Sequence, residues 1–375
     1  MVMTLAKDRA TPVGDGQKYL EQFQDLLVQG FENPLGEEGD CRLRLTDGPS
    51  EWSLDICFSA AGLHFSGPDS SAASAELTIP VTTAQRLVED IETVDFRDPE
   101  IMSTVRLDGN LETINRIAKA LLQPSSDALT RMSAATEKAS SAYRIKEVER
   151  VERPTELELL TALSEGRPMI VTDPPLPRDS RPWTLDRLAN EYGDVPLRVR
   201  SAEHQETVAE FVASMRAFNA ARVGKIIEGH TKPYTEGCAL PEAMRSAFVP
   251  GYFSLHDYIE PQIWLGSVPV TMPASTLHRD PMDGFLYQIM GRKRLILYSP
   301  DQAPLLYPMK AWNNYQPCWV SPEQPEYQRF PRFKEAQRLE VILQPGELLV
   351  QPASWFHEVY CLDSPTFSVS YFYRH

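Results

Sequence analysis

The chain has 375 residues, of which 42% are hydrophobic and 24% charged, an ordinary globular composition that suggests two domains. Its formal net charge of −15 argues against a nucleic acid partner, because phosphate binding needs a concentrated basic face. The sequence holds no run of 18 or more apolar residues, so no membrane span is expected.

The polar first stretch, residues 1–16, reads as a flexible tail without the apolar core of a signal peptide. Cys41, Cys57, Cys238, Cys318 and Cys361 are scattered, odd in number and lack a CxxC pair. That pattern fits reduced thiols in a cytoplasmic setting rather than disulfides or a structural zinc site.

Residues 17–125 are expected to form a small α+β domain. Leu20, Phe23, Leu26 and Leu27 recur at helical spacing within 17–29. Strand-like runs follow at 41–45, 52–58, 63–65 and 75–80, punctuated by Gly, Pro, Asp and Ser. A further strand is expected at 103–107, before a helix over 111–122 that places Ile114, Ile117, Ala118 and Leu121 on one face. The Ser-, Ala- and Thr-rich stretch 126–142 is either a linker or an exposed helix, and the domain boundary is placed there.

The second domain, 143–375, opens with a strand near 143–151 and a helix at 156–163 whose N-cap falls near Pro154 and Thr155. A short buried strand is expected at 168–171. Beyond Gly251 the texture turns to short strands at 263–265, 286–290, 293–298, 340–343, 348–351 and 366–373. The fold class is therefore α+β, with a sandwich, barrel or jelly roll after the smaller domain.

One short motif in this half carries chemistry. On a strand, residues two apart share a face, so His278 and Asp280 can bind one metal together. With 7 histidines and 52 acidic residues, about one such pair is expected by chance. His204-Gln205-Glu206 is a decoy of that kind: the apolar spacing after it, Val208, Phe211, Val212 and Met215, marks a helix start. His278 differs in having a distant histidine, His357, on another strand-like run behind the turn Gln344-Pro345-Gly346-Glu347. Two histidines and a carboxylate on one face of an octahedron leave three positions open, as oxygen activation with a bidentate co-substrate requires. By spacing alone, two ordinary core or loop histidines remain as good a reading.

The run Thr276-Leu277-His278-Arg279-Asp280, then Tyr287 to Pro300, resembles the metal-binding strand and hairpin of JmjC/cupin-like oxygenases. Gln344 to His357 resembles the second ligand strand of that family, and Ser368 to Tyr373 its final strand. Arg167 to Val171 and Trp183 to Asp194 are similar to its lead-in. The texture is nearest to the hydroxylase branch typified by asparaginyl hydroxylation of hypoxia-inducible factor. The resemblance implies a double-stranded β-helix with flanking helices over 143–375. It implies iron(II) held by His278, Asp280 and His357, with 2-oxoglutarate as co-substrate and O2 as oxidant. Lys293 takes the family position for the distal carboxylate of 2-oxoglutarate, helped by Tyr234 and Ser275, with Thr276 a neighbour. Gly284 and Ser370 depart from asparagines of that branch, which separates the substrate from the family analogy more than the metal.

The implied activity is hydroxylation of an unactivated C–H bond in a peptide, amino acid or biosynthetic intermediate, with succinate and carbon dioxide released. N-demethylation by the same chemistry, a non-catalytic metal-binding cupin and a lipid-carrier protein stay open as alternatives. Trp312, Asn313, Asn314, Tyr315 and Trp319 are either substrate contacts or packing residues. Val94 to Leu111 resembles a sterol-carrier-protein-2-like domain, implying an apolar ligand for residues 17–125, against the alternative of a scaffold with a filled core.

Overall fold

Alternation decides the first sheet. In the computed structural model, which describes residues 16–67, 73–92, 101, 103–141, 145–176, 181–198, 205–221 and 233–374, strand β1 (Gly39–Asp47) buries Cys41, Leu43 and Leu45. Arg42 and Arg44 point the other way, because successive side chains leave opposite faces of a strand. β1 pairs antiparallel with β2 (Ser50–Ser59), and β2 with β3 (Gly62–Ser66). β4 (Ala75–Pro80) runs parallel to β1, and β5 (Arg106–Gly109) closes the order β3-β2-β1-β4-β5. The buried face packs on helices Gly16–Gly30, Val81–Glu89 and Leu111–Ala120 through Phe23, Leu27, Ala84, Ile114 and Ile117. The last helix starts where Asn110 accepts hydrogen bonds from the Glu112 and Thr113 amides. Of the stretch that carries the sterol-carrier resemblance, 94–111, residues 94–100 and 102 lie outside the described residues, as do residues 1–15.

The chain divides into two units, residues 1–125 with 310–313, and residues 126–309 with 314–375. The Ser/Ala-rich stretch expected as linker or exposed helix is the helix Ser126–Ser141, with Ala128 and Met132 buried. Glu149–Val151 is β6, shorter than the strand expected at 143–151, of which 143 and 144 are not described. Thr155 caps helix Glu156–Ser164 in a reciprocal pairing with Glu158. β7 (Met169–Val171) follows, then helix Leu185–Tyr192 and the hairpin of β8 (Pro196–Arg198) and β9 (Gln205–Thr207). His204 of the decoy is outside the described residues; helix Val208–Ala221 begins directly after β9.

From there the chain alternates between two sheets. β10 (Cys238–Ala239), helix Glu242–Phe248 and β11 (Gln262–Gly266) lead to β12 (Pro273–Arg279), β13 (Gly284–Met290) and β14 (Lys293–Tyr298). β15 (Gln316–Pro317), β16 (Leu339–Leu343), β17 (Leu348–Gln351), β18 (Phe356–Cys361) and β19 (Thr366–Phe372) complete the fold. The larger sheet has the order β10-β11-β19-β13-β17-β7-β6, the smaller β15-β12-β18-β14-β16. Leu295, Leu297, Val341 and Val359 of the smaller sheet pack with Ile170, Leu286 and Leu349 of the larger, so the sheets face each other in a jelly roll. The outer face of the larger sheet is covered by helices that include Glu156–Ser164, Leu185–Tyr192, Val208–Ala221 and Glu242–Phe248. Among the described residues, no helix is long and apolar enough to cross a membrane.

Candidate metal centre

The two histidines meet because of strand register. His278 on β12 stands directly opposite His357 on β18, and paired residues of an antiparallel ladder project from the same face. Their ring centroids are 4.1 Å apart. Between the pairs Ser275–Val359 and His278–His357, β12 has Thr276 and Leu277 where β18 has only Glu358. This bulge brings the Thr276 carbonyl to 2.6 Å from His278 Nδ1, which leaves Nε2 of that ring for a metal.

Asp280 lies one residue beyond the end of β12, not on the strand as its spacing suggests. Its Oδ2 is 3.6 Å from His357 Nε2, and ligand atoms of His278, Asp280 and His357 all fall within 4.8 Å of one another. Two imidazole nitrogens and one carboxylate oxygen at this separation fit a facial triad for a first-row divalent metal such as iron(II).

Burial lowers the His357 pKa well below the ordinary histidine value, and His278 lowers it further, against a smaller opposing effect of the Trp355 carbonyl. The ring is therefore neutral, the state a metal ligand needs. Its Nδ1 lies 3.2 Å from the Trp355 carbonyl and 2.8 Å from the Gln351 side-chain amide. With Nε2 given to a metal, Nδ1 carries the proton and donates it to the Trp355 carbonyl, which orients the ring; the Gln351 amide nitrogen, itself a donor, bonds Nδ1 only in the other tautomer. Burial raises the Asp280 carboxyl, while His278 works in the other direction.

Lys293, at the start of β14, projects from the same face of the smaller sheet. It is opposite Cys361, four residues along β18 from His357, roughly 13 Å of strand. Its side chain is 2% exposed and crosses the sandwich so that Nζ donates to Ser368 Oγ of β19 at 2.5 Å. Burial pushes its pKa down to about 8. Among the described residues no carboxylate forms an ion pair with it. Tyr234 is 1% exposed and clusters with Val268 and Cys361 beside Trp264, whose ring lies 6.0 Å from Lys293 Nζ. Burial, with Cys361 and Glu236, raises its phenol well above the usual value. Ser275 is opposite Val359, on the face that carries His357. The Thr276 side chain is exposed, and this residue enters the site through its carbonyl.

Three residues of this arrangement escaped the sequence reading: Gln351, Ser368 and Trp264. Ser368 had a signal, the polar alternation Thr366, Ser368, Ser370 on a strand whose intervening residues are apolar. Gly284 pairs with Phe372 and Gln351, and Ser370 accepts from Trp264 Nε1 at 2.8 Å. In the 301–332 segment the Tyr315 ring packs edge-on against His278 at 5.1 Å, and Trp312 is buried. A separate surface groove of about 700 Å³, lined by Trp183, Leu185, Met290, Arg292, Pro345 and Asp363 among others, includes none of the triad.

Named relatives match parts of the chain. Lysine-specific demethylase 8 of Xenopus tropicalis is 36% identical over 138 residues, 36% of this chain and 30% of that protein. Its namesake from Danio rerio is 29% identical over 242 residues, 61% of this chain and 58% of that protein. The tRNA wybutosine-synthesizing protein 5 of Danio rerio is 28% identical over 243 residues, 56% of this chain and 70% of that protein. The chain thus spans less than two thirds of either demethylase. Residues 154–375 match the cupin-like domain, more than half of the sequence, and the chain is a member of that JmjC-type family.

Proposed function

We propose that the chain is an iron(II)- and 2-oxoglutarate-dependent oxygenase that hydroxylates an unactivated C–H bond of a peptide, amino acid or biosynthetic intermediate, releasing succinate and carbon dioxide. One observation carries the reading: the same sandwich interior holds a His-Asp-His cluster and, two same-face positions away, a buried ammonium in no ion pair among the described residues. A metal-binding module without turnover has no use for that cation. JmjC-type relatives of the chain are oxygenases of this kind, which supports the assignment.

Bound iron with 2-oxoglutarate supplies oxygen activation and the oxidising power for C–H cleavage. The chain's own residues do the rest. His278 and His357 would offer imidazole nitrogens and Asp280 a carboxylate oxygen to the metal, a three-ligand set that leaves room for co-substrate and oxidant. Lys293, already hydrogen-bonded to Ser368, offers a charge-assisted donor to one end of a dicarboxylate, and Tyr234 and Ser275 line the same interior. The apolar walls, Leu295, Leu297 and Val359, exclude water from that interior.

N-demethylation is the second reading, favoured by the name of the two demethylase relatives. The name of the third points to tRNA, against which the net charge of −15 stands.

The test is anaerobic titration of apoprotein with iron(II) and then 2-oxoglutarate, followed by visible absorption. A charge-transfer band that is absent in His278→Ala and weakened in Lys293→Met, together with succinate formation in air, is the expected result. Iron uptake with neither band nor succinate would reduce the protein to a metal-binding cupin.

A further inference from the structure

The two histidines are locked into a ladder, whereas the carboxylate ligand is not. Asp280 begins the connection 280–283, by which the chain leaves the smaller sheet after β12 for the larger sheet at β13. The connection 352–355 runs the opposite way, from β17 to β18, and delivers His357. These crossings are neighbours, since Arg279 pairs with Phe356 on one side of them and Gly284 with Gln351 on the other.

Between them run two hydrogen bonds. The Ser354 amide donates to the Asp280 carbonyl at 2.8 Å, and the Ala353 amide donates to Asp283 Oδ1 at 2.7 Å. The Tyr373 amide, just past β19, donates to the Asp283 carbonyl at 2.9 Å. Asp283 is 6% exposed and Ser354 1%. Ser354 holds φ 68, the left-handed region, which costs a non-glycine residue on the order of 1 kcal/mol or more. That conformation persists because its amide and that of Ala353 are both directed at the other crossing.

We infer that Asp283 is a positioning residue for the metal centre: by holding crossing 352–355 against crossing 280–283, its carboxylate sets where the Asp280 carboxylate stands relative to His357. The inference rests on the triad being a metal site and needs no assumption about turnover. A ligand that lies beyond its strand has no ladder to define it, so the contact between the crossings takes over that task. Asp283 touches no reacting atom in this role; it acts through Asp280.

Cobalt(II) titration of the full chain, followed by the ligand-field spectrum, tests this. Asp283→Ala is expected to lower cobalt affinity about 10- to 100-fold, the usual effect of removing a group that orients a ligand. Asp283→Asn, whose amide oxygen accepts the same bond, is expected to restore it. Asp283→Glu keeps the charge but moves the acceptor by one methylene, and is expected to weaken binding even if the alanine variant fails to fold. In an Asp280→Ala background, adding Asp283→Ala should change affinity by no more than about twofold, within the usual tolerance of such cycles. A further large loss in that double variant would mean a general structural role and would overturn the inference. So would wild-type affinity in both Asp283→Ala and Asp283→Glu. Wild-type protein that takes up no cobalt would remove the metal site and the inference together. Cobalt uptake with this mutant pattern but no succinate would defeat the oxygenase reading alone.

Discussion

The two five-stranded sheets of this chain treat charge in opposite ways. In β3-β2-β1-β4-β5 the buried face is apolar, Cys41, Leu43, Leu45, Ile56, Leu77 and Ile79, and the charged side chains sit on the other face in pairs. Arg42 makes a two-pronged contact with Asp55 at 2.7 and 2.9 Å, and that contact raises its pKa. In β15-β12-β18-β14-β16 the buried face carries His357 and Lys293 among Leu295, Leu297 and Val359. Here burial drives the pKa of Lys293 down to about 8. The first sheet pairs its charges with one another, Arg42 with Asp55 and Arg44 with Glu51 and Glu76. Burying an ionisable group without a countercharge is unfavourable, and it is retained where a ligand completes it.

The sharpest way to break the comparison is to remove one ionisable group from the second sheet and one buried apolar group from the helix packed on the first. His278→Ala should abolish iron(II) uptake and all metal-dependent succinate formation, with little change in the denaturation midpoint of the apoprotein. Phe23→Ala, at a side chain with no exposed surface, should cost about 3–5 kcal/mol in urea denaturation while metal affinity stays at the wild-type value. If His278→Ala destabilised the apoprotein as much as Phe23→Ala, the contrast between a ligand sheet and a packing sheet would fail.

How much of this was legible in the sequence follows the same division. Strands that alternate, or that are short uniform apolar runs between turns, were read to the residue: β4, β14 and β17. β12 was legible only as an HxD motif, because Pro273-Ala274-Ser275-Thr276 has no apolar alternation and its bulge breaks the period. β18 is buried at all six positions, so no period marks its start at Phe356. The histidines stood out through the HxD spacing and a second histidine on a later strand-like run, and Lys293 only through the family resemblance. Ser368, Gln351 and Asp283 were not, since each acts through a partner 75, 6 or 70 positions away that only the folded register brings near. The sterol-carrier resemblance rests in part on residues 94–100 and 102, which lie outside the described residues, and an apolar ligand for the first unit stays a proposal.

Lys293→Met sharpens the comparison by making the second sheet resemble the first. The folded pKa of about 8 is below the unfolded value of 10.5, so the unfolded chain holds more protons between those values. Burying the charged form therefore costs roughly 3 kcal/mol at neutral pH, and stability gained from deprotonation accumulates as pH rises from about 8 to 10.5. The expected result is an apoprotein more stable than wild type at pH 7, with the difference shrinking over that window. The same variant should bind 2-oxoglutarate about 10- to 100-fold more weakly, the value of a charged hydrogen bond out of water. For wild type, 2-oxoglutarate affinity at constant metal should fall about tenfold per pH unit above about 8, as the ammonium loses its proton. Lys293→Arg keeps its charge, so any binding it retains should lack that slope. An equal slope in wild type and Lys293→Arg would place the titrating group elsewhere.

The smallest effect belongs to the paired charges of the first sheet. Arg42 and Asp55 are neighbours across β1 and β2, with side chains 14% and 12% exposed. A double-mutant cycle with Arg42→Met and Asp55→Leu should return a coupling of about 1 kcal/mol, near the upper end for ion pairs that water still reaches. Each single variant should cost more than the double, because it strands the partner's charge on a largely covered face. Metal and 2-oxoglutarate affinities should be unchanged in all three. The comparison turns on this sign: Arg42 is a charge whose partner is already in the fold, so neutralising it destabilises the protein. If the proposed function holds, Lys293 is one whose partner arrives as a ligand, so neutralising it should stabilise the empty protein and harm only the loaded one.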